Sequence, residues 1–405
     1  MKFAHLSDVH IGGWREPRLR ELNILTFKRV IELCIEENVA FVLISGDLFN
    51  TSLPPIDLIK EVSADLEKLK RNDIEVYIIP GSHDFSPSNK TMIDVLENAG
   101  LCVNVMKVRE DHDKLHLDFT IDKTNIKIAG IYGRRAGLEK EQYKKLDKSN
   151  LESEKGFKIF MFHSLISELK PDFLEMVDSE PLSSLPRNFD YYAGGHPHFI
   201  LTKKIDGYGT LAYPGATFPN NFSELEKFKH GGFLLIDVNN ELTITYVPIK
   251  LKEFEGFTVD VDDLTPEEAE KKILNSLNKD VNNKVVTLRI RGILKSGKVS
   301  DIDFKKIQKK IEDAYVVLKN INKLSTNEIE QYKSADGDID FIEDSIISRY
   351  SKEAKSEYKD IEFIKELMKT LSLEKNEGET NSDFEEKLST NCIKLLKLDY
   401  VIKKD

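Results

Sequence analysis

Asp8 and His10 place a carboxylate and an imidazole two residues apart, at the end of the apolar run that opens Phe3-Ala4-His5-Leu6. In an extended segment residues i and i+2 point the same way, so both side chains aim at one place just past a strand end. A D-x-H pair alone is common. The same arrangement, an apolar strand followed at once by a ligand-type residue, recurs four more times. The repeats are Gly46-Asp47, Gly81-Ser82-His83-Asp84, His163, and Gly194-Gly195-His196-Pro197-His198. Five of the nine histidines fall at these positions, and that concentration carries the inference. Mixed imidazole and carboxylate ligands suit Mn, Fe or Zn, and a carboxylate such as Asp47 can bridge two ions. Two metals about 3.5–4 Å apart stabilise both the attacking and the leaving oxygen of a phosphoryl displacement, and turn a water into a nucleophile near neutral pH.

The elements that must position these residues are legible in the pattern. Apolar runs at Val39–Ser45, Ile74–Ile79, Ile126–Ile131 and Phe157–Phe162 read as strands, continuous as in a sheet covered on both faces. Helical periodicity runs from Pro17 to Asn38, from Pro55 to about Arg71, and through Met92, Ile93, Leu96 and Ala99. The βαβαβ order implies a parallel sheet with helices on both faces. Leu138–Glu154 reads as polar and helical, and short strands from Thr210 to Ile249 read as antiparallel. The expected domain is a two-layered β core flanked by helices. His5, His112, His116 and His230 match no motif and read as structural or solvated. Asp84 reads as a cap for the following turn, Trp14 as core and Arg15 as surface.

At 405 residues the chain exceeds one typical core, so two or three domains are expected. No apolar run approaches a membrane span, and Met1 leads straight into the first strand without a basic flank or cleavage site. Cys34, Cys102 and Cys392 are scattered and odd in number, which suits reduced thiols in a cytosolic protein and excludes a thiolate metal site. The net charge of −11 argues mildly against a nucleic-acid partner, so such a partner needs a local argument.

Two C-terminal stretches supply local arguments. A boundary falls near Lys250, and residues 251–325 read as a small α+β module, with a helix from Thr265-Pro266-Glu267-Glu268 and a strand at Val285–Arg291. Residues 281–325 hold 11 Lys and Arg against 4 Asp and Glu, a net of +7. Arg289, Arg291, Lys295 and Lys298, with Lys305, Lys306, Lys309 and Lys310, would make sequence-independent phosphate contacts; a merely solvated helix face is the plainer alternative. Residues 326–405 swing back to 13 basic against 20 acidic. There, 334–340 and 375–382 read as linkers between short amphipathic helices that must dock on something.

The five motifs in order, D-x-H, G-D, G-x-H-D, a lone His after a strand and G-H-x-H, resemble the calcineurin-like metallophosphoesterases. Asp8-Val9-His10-Ile11-Gly12, Gly46-Asp47-Leu48-Phe49 and the layout after residue 250 resemble, within that superfamily, the Mre-eleven/SbcD nuclease family of double-strand-break repair. The resemblance implies an α/β fold, a four-layer β-sandwich flanked by helices (1–250), a small α+β capping domain that helps hold DNA (251–325), and a linker with a helical tail that binds a coiled-coil ABC-type ATPase (326–405). It also implies two Mn2+ per chain. One would be held by Asp8, His10, Asp47 and His198, the other by Asp47, Ser82, His163 and His196, with His83 a non-ligand catalytic histidine. Its further implications are 3′→5′ exonuclease and single-strand endonuclease activity on DNA ends and single strands, a homodimer through helices 55–71 and 91–99, and a cytoplasmic, nucleoid-associated location without a membrane. Ser82 departs from the family, which usually carries Asn there, and puts direct ligation of the second metal in doubt. Asn50 departs less, since some relatives carry His. The rivals are another phosphodiesterase of the superfamily, or a catalytically weakened scaffold.

Overall fold

The computed structural model describes residues 1–85, 90–111, 114–133, 139–174, 177–239, 241–326, 347, 361–373, 375, 381–396 and 398. His112, the linker 334–340 and most of the linker 375–382 lie outside the described residues.

The chain runs β1 (Lys2–Leu6), α1 (Pro17–Glu36), β2 (Phe41–Ser45), α2 (Ile56–Arg71), β3 (Glu75–Ile79), α3 (Met92–Asn98) and β4 (Val103–Asn104). It continues through β5 (Lys107–Asp111), β6 (Lys114–Asp118), β7 (Thr120–Ile121), β8 (Lys127–Ile131), α4 (Glu139–Lys145), α5 (Ser149–Ser153), β9 (Lys158–His163) and β10 (Tyr191–Gly195). Then follow β11 (Ile200–Ile205), β12 (Gly209–Pro214), α6 (Phe222–Phe228), β13 (Gly231–Val238) and β14 (Leu242–Ile249).

Two six-stranded sheets form, in the orders β14-β13-β1-β2-β3-β4 and β11-β12-β10-β9-β8-β7. Alternation along each strand splits its side chains between two faces. Phe3, Phe41, Leu43 and Tyr77 point at Ile159, Met161, Tyr191 and Ala193 of the opposite sheet and form the layer between sheets. Ala4, Leu6, Val42, Ile44 and Ile78 pack outward on Phe27, Val30 and Ile31 of α1 and Leu58, Val62 and Leu66 of α2. Phe160, Phe162, Tyr192 and Tyr213 face the other way, onto Tyr143 and Leu151 of α4 and α5. Helices, sheet, sheet and short helices are thus four layers, and burial on both faces explains the unbroken apolar runs. Truncating a ring in the middle layer, such as Phe41→Ala, would cost about 3–5 kcal/mol.

The polar segment read as helical forms two pieces, α4 and α5, with Leu146 between them buried. One expectation needs correction: the later part is not wholly antiparallel. β11–β12 and β13–β14 are antiparallel, but β12 runs parallel to β10, Tyr191 opposite Thr210. The alternating patterns of short strands do not reveal which neighbour they pair with.

By its internal contacts the chain divides into two units. The first comprises Met1–Asp260, Glu268–Arg291 and Asp303–Lys323, the second Val261–Glu267, Gly292–Ile302 and Leu324–Asp405. After β14 come β15 (Phe254–Asp260), α7 (Pro266–Ser276), β16 (Val285–Leu294), α8 (Phe304–Lys310) and β17 (Val316–Thr326), with sheet order β15-β16-β17. In the second unit, α9 (Ile361–Leu371) and α10 (Asn381–Leu395) lie against each other, and no described residue of α9 is fully buried.

Candidate metal centre

The parallel ladder between β1 and β2 runs on past the last strand residues. Asp8 N donates to Gly46 O at 3.1 Å, His10 N to Asp47 O at 2.9 Å, and Ile11 N to Leu48 O at 3.0 Å. The loops carrying Asp8, His10 and Asp47 are thereby locked together. The backbone turns sharply at the motif residues: φ is 50° at Asp8, 47° at His10, 53° at Asp47 and 91° at His196. Such conformations cost on the order of 1–3 kcal/mol each and persist where the surroundings over-determine them. Gly81 has a steric reason to be glycine, since a Cβ there would overlap the Asp47 carboxylate.

The strand ends bring the predicted residues together. His163 Nε2 lies 3.3 Å from Asp47 Oδ2 and 4.0 Å from Asp8 Oδ1. His198 Nε2 lies 3.6 Å from Asp8 Oδ1 and 3.2 Å from His10 Nε2, and His10 Nε2 is 3.7 Å from Asp47 Oδ2. The His163 and His196 rings are 5.3 Å apart. Asp8, Asp47, His10 and His163 are buried. Among the described residues, three sets put one ligand atom each within 4.8 Å of the others: Asp8, His10 and His198; Asp8, Asp47 and His163; His10, Asp47 and His83.

The chemistry of these atoms fits divalent cations. His163 Nδ1 donates to Ser45 O at 2.8 Å, so the neutral ring keeps its lone pair on Nε2, which is buried without a hydrogen-bond partner and faces carboxylate oxygens. A lone pair against an anionic oxygen is favourable only with a cation or a proton between them. His198 repeats the arrangement: its Nδ1 meets Glu224 Oε1 at 2.8 Å, and its Nε2 faces Asp8 and His10. Without metal, protons occupy these places. Burial alone would lower both imidazoles, yet Asp47 and Asp8 raise His163 to about 10, while the Glu224 hydrogen bond and Asp8 raise His198 to about 9. Burial would also raise Asp47, but His163 and His10 hold its carboxyl below the usual range. His10 and His196 are pushed down by burial, to about 3 and about 4.

The G-x-H-D turn wraps the Asp47 carboxylate. His83 N donates to Asp47 Oδ1 at 2.7 Å and Ser82 Oγ to Oδ2 at 3.4 Å. His83 Nδ1 sits 2.8 Å from Asn50 O, which leaves Nε2 as its second polar atom, and the ring stands edge-on to His10 at 4.8 Å. The turn that Asp84 is expected to cap runs into residues 86–89, outside the described residues. The Asp84 carboxylate accepts from Gly81 N at 2.9 Å and Phe49 N at 3.1 Å, bracing the turn behind it and the loop after β2, and burial with the nearby Asp47 raises it to about 7.

Two supporting sets escaped the pattern. His5, read simply as structural, joins the sheets: Tyr191 OH donates to its Nδ1 at 2.8 Å, its Nε2 meets Ser45 Oγ at 3.0 Å, and Ser45 Oγ donates to Ala193 O at 3.0 Å. This network sits directly behind Asp47, His163 and His196. Glu224 holds His198, and carboxylates on the far nitrogen of a metal-binding histidine fix its orientation. A signal existed, because Asn221-x-x-Glu224 is a helix-start pattern; Asn221 Oδ1 caps Glu224 N at 3.0 Å.

The four expected phosphate contacts differ in setting. Lys295 and Lys298 are exposed. Arg291 is exposed and pairs with Asp260 at 3.2 Å. Arg289 is gripped by Glu226, Nη2 to Oε2 at 2.6 Å. Trp14 is partly buried against the cluster around Leu19, Leu22 and Leu225, with Nε1 donating to Pro219 O at 2.8 Å.

Residues 1–199 match the family model of the calcineurin-like phosphoesterases. The chain is 31% identical over 294 residues to the DNA double-strand break repair protein Mre11 of Methanocaldococcus jannaschii, covering 69% of this chain and 75% of that one. It is 28% identical over 381 residues to its counterpart in Methanococcus maripaludis, covering 84% and 93%, and 27% over 349 residues to that of Archaeoglobus fulgidus, covering 78% and 76%. The chain belongs to the Mre11 family of calcineurin-like phosphoesterases and is a metal-dependent phosphoester hydrolase.

Proposed function

We propose that this chain is a Mn-dependent DNA nuclease that trims double-strand ends from the 3′ side and cuts single strands. The observation that carries the reading is the convergence of Asp8, His10, Asp47, His163, His196 and His198 at adjoining strand ends, with unpartnered imidazole nitrogen turned inward. Asp8, His10, Asp47 and His198 hold one Mn2+; Asp47, Ser82, His163 and His196 hold the other. When bound, the pair supplies Lewis acidity at the scissile phosphate and a nucleophilic water.

The chain's own groups do the rest. His83, as an imidazolium whose Nδ1–H donates to the Asn50 carbonyl, presents Nε2–H to the phosphate and passes that proton to the departing 3′-oxygen. Ser82 reaches the second cation with a shorter arm than an amide. Arg291, Lys295 and Lys298 meet DNA phosphates, and Arg289, the fourth expected contact, is engaged with Glu226. Exposed Leu53, Ile56 and Val95 beside α2 and on α3 support a homodimer through that face. The half-exposed apolar side chains of α9, among them Met368 and Leu371, support docking of the tail helices on a coiled-coil ABC-type ATPase. The relatives named as break-repair proteins support a place among cytoplasmic, nucleoid-associated enzymes. Among the described residues no helix is long and apolar enough to cross a membrane.

Degradation of blunt duplex DNA with Mn2+ tests the reading. Wild type digests it, and His83→Ala loses about 10²–10⁴ in rate with both metals still bound. An inert wild type with one bound ion would instead support the scaffold, a reading that the short arm of Ser82 favours.

A further inference from the structure

We infer that helix α6 is a positioning element through which the three-stranded sheet of the first unit holds the metal-binding His198, with Arg289 as its tether. The inference rests on the metal-centre reading above and concerns how one side of that centre is kept in place.

α6 has only seven residues, Phe222–Phe228. A helix that short has almost no stability of its own, so its orientation is set by what touches it. On one side, Glu224 meets His198 Nδ1 at 2.8 Å and is itself fixed by Asn220 N at 2.7 Å and Asn221 Nδ2 at 2.5 Å. Two residues away in either direction, Phe222 and Glu226 are both taken by Arg289. Its Nε lies 3.1 Å from each Glu226 oxygen, its Nη2 2.6 Å from Oε2, and its guanidinium 4.9 Å from the Phe222 ring centre. The two charged side chains are 21% and 24% exposed, so this pair is better shielded than an ordinary surface bridge. Planar two-pronged contact on a carboxylate fixes direction as well as distance.

Leu225 supplies a second, independent attachment. It is buried in a cluster with Leu19 and Leu22 of α1, Phe218, and Val285 and Val316 of the three-stranded sheet. The sheet therefore grips α6 by an apolar contact and an ion pair at once, while the opposite side of the helix orients a metal ligand. Arg289 falls inside the basic stretch 281–325, yet its geometry commits it to α6. It acts as a positioning residue. Removing it lets α6 turn about the Leu225 contact and draws Glu224 off His198.

The test is Mn2+ binding to the full chain by calorimetry, with low-temperature electron paramagnetic resonance reporting each bound ion. Glu224→Gln should weaken one of the two sites by about 10–100-fold, the usual effect of losing a partner behind a metal ligand. Arg289→Ala should weaken the same site by a smaller factor, leave the other unchanged, and alter the resonance of the affected ion. Arg289→Glu and Glu226→Arg should each do likewise, and the charge-swapped double variant should restore binding, which also covers a poorly folding single variant. Lys279→Ala, which breaks the Lys279–Glu255 bridge of the same sheet, should change nothing. Wild-type binding in Arg289→Ala, equal weakening of both sites, or no recovery in the swapped pair would each overturn the tether. Failure of wild type to bind two ions would sink the metal-centre reading instead.

Discussion

The ends of the two large sheets and the basic stretch 281–325 both gather charge, and they do so in opposite ways. At the sheet ends, carboxylates and imidazoles are buried, locked by backbone hydrogen bonds, and turned so that like lone pairs face each other. That arrangement is unfavourable unless a proton or a cation lies between them. In the basic stretch several of the charges are answered by the protein itself: Arg289 by Glu226, Arg291 by Asp260, Lys306 by Glu270. Frustrated charge marks a site for a ligand, whereas a surplus counted along the sequence marks only where one could be sought.

Substitutions can break that contrast. The largest effect belongs to Asp47, which touches both proposed ions. Asp47→Ala should abolish metal binding at both sites, a loss well beyond the about 10–100-fold typical of residues behind the ligands. Calorimetry that still shows two ions in this variant would remove the bridging role. His83→Ala comes next: its loss of about 10²–10⁴ in turnover, with metal content intact, separates chemistry from binding. Ser82→Asn should tighten the second site and preserve or raise cleavage, and weaker binding in that variant would show that Ser82 is no ligand position.

Proton release sharpens the same contrast. In the metal-free chain His163 and His198 keep protons up to about pH 10 and about 9, so near neutrality both carry protons that a cation must displace. Mn2+ affinity should therefore rise with pH through the neutral range, by about tenfold per unit for each proton displaced, and flatten above those values. Calorimetry in buffers of differing ionisation heat measures the release; none at pH 7 would contradict the assignment. The smallest effect is expected from Arg291→Ala or Lys298→Ala. Each should lower the slope of log affinity for DNA against log salt by about 1, uniformly across sequences.

Much of this site was legible in the sequence because the ligands cluster at the ends of apolar strands. A strand in a two-sided sheet is one of the clearest patterns a chain offers, and its last residue fixes where the next side chain emerges. Asp8 and Asp47 stand two residues past β1 and β2, His163 is the last residue of β9, and His196 directly follows β10. The groups behind the ligands were hidden for a matching reason. Glu224 reaches His198 across 26 positions from a seven-residue helix, and His5 meets Tyr191 across 186. The helix-start pattern at Asn221-x-x-Glu224 marks Glu224 only as part of a cap, and nothing local marks His5 as more than a core histidine. The parallel pairing of β12 with β10 was hidden likewise, since strand order depends on the whole sheet. The commitment of Arg289 to Glu226 shows the same limit for charge, because a net of +7 says nothing of partners elsewhere in the chain.

The central claim is that six side chains at neighbouring strand ends, with Ser82 beside them, hold a pair of cations. Anomalous X-ray scattering from crystals of this chain soaked in Mn2+ tests it most directly. Two peaks are predicted, one among Asp8, His10, Asp47 and His198 and the other among Asp47, His163 and His196. Crystals with full Mn2+ in the solution and no peak between Asp8 and Asp47 would contradict it.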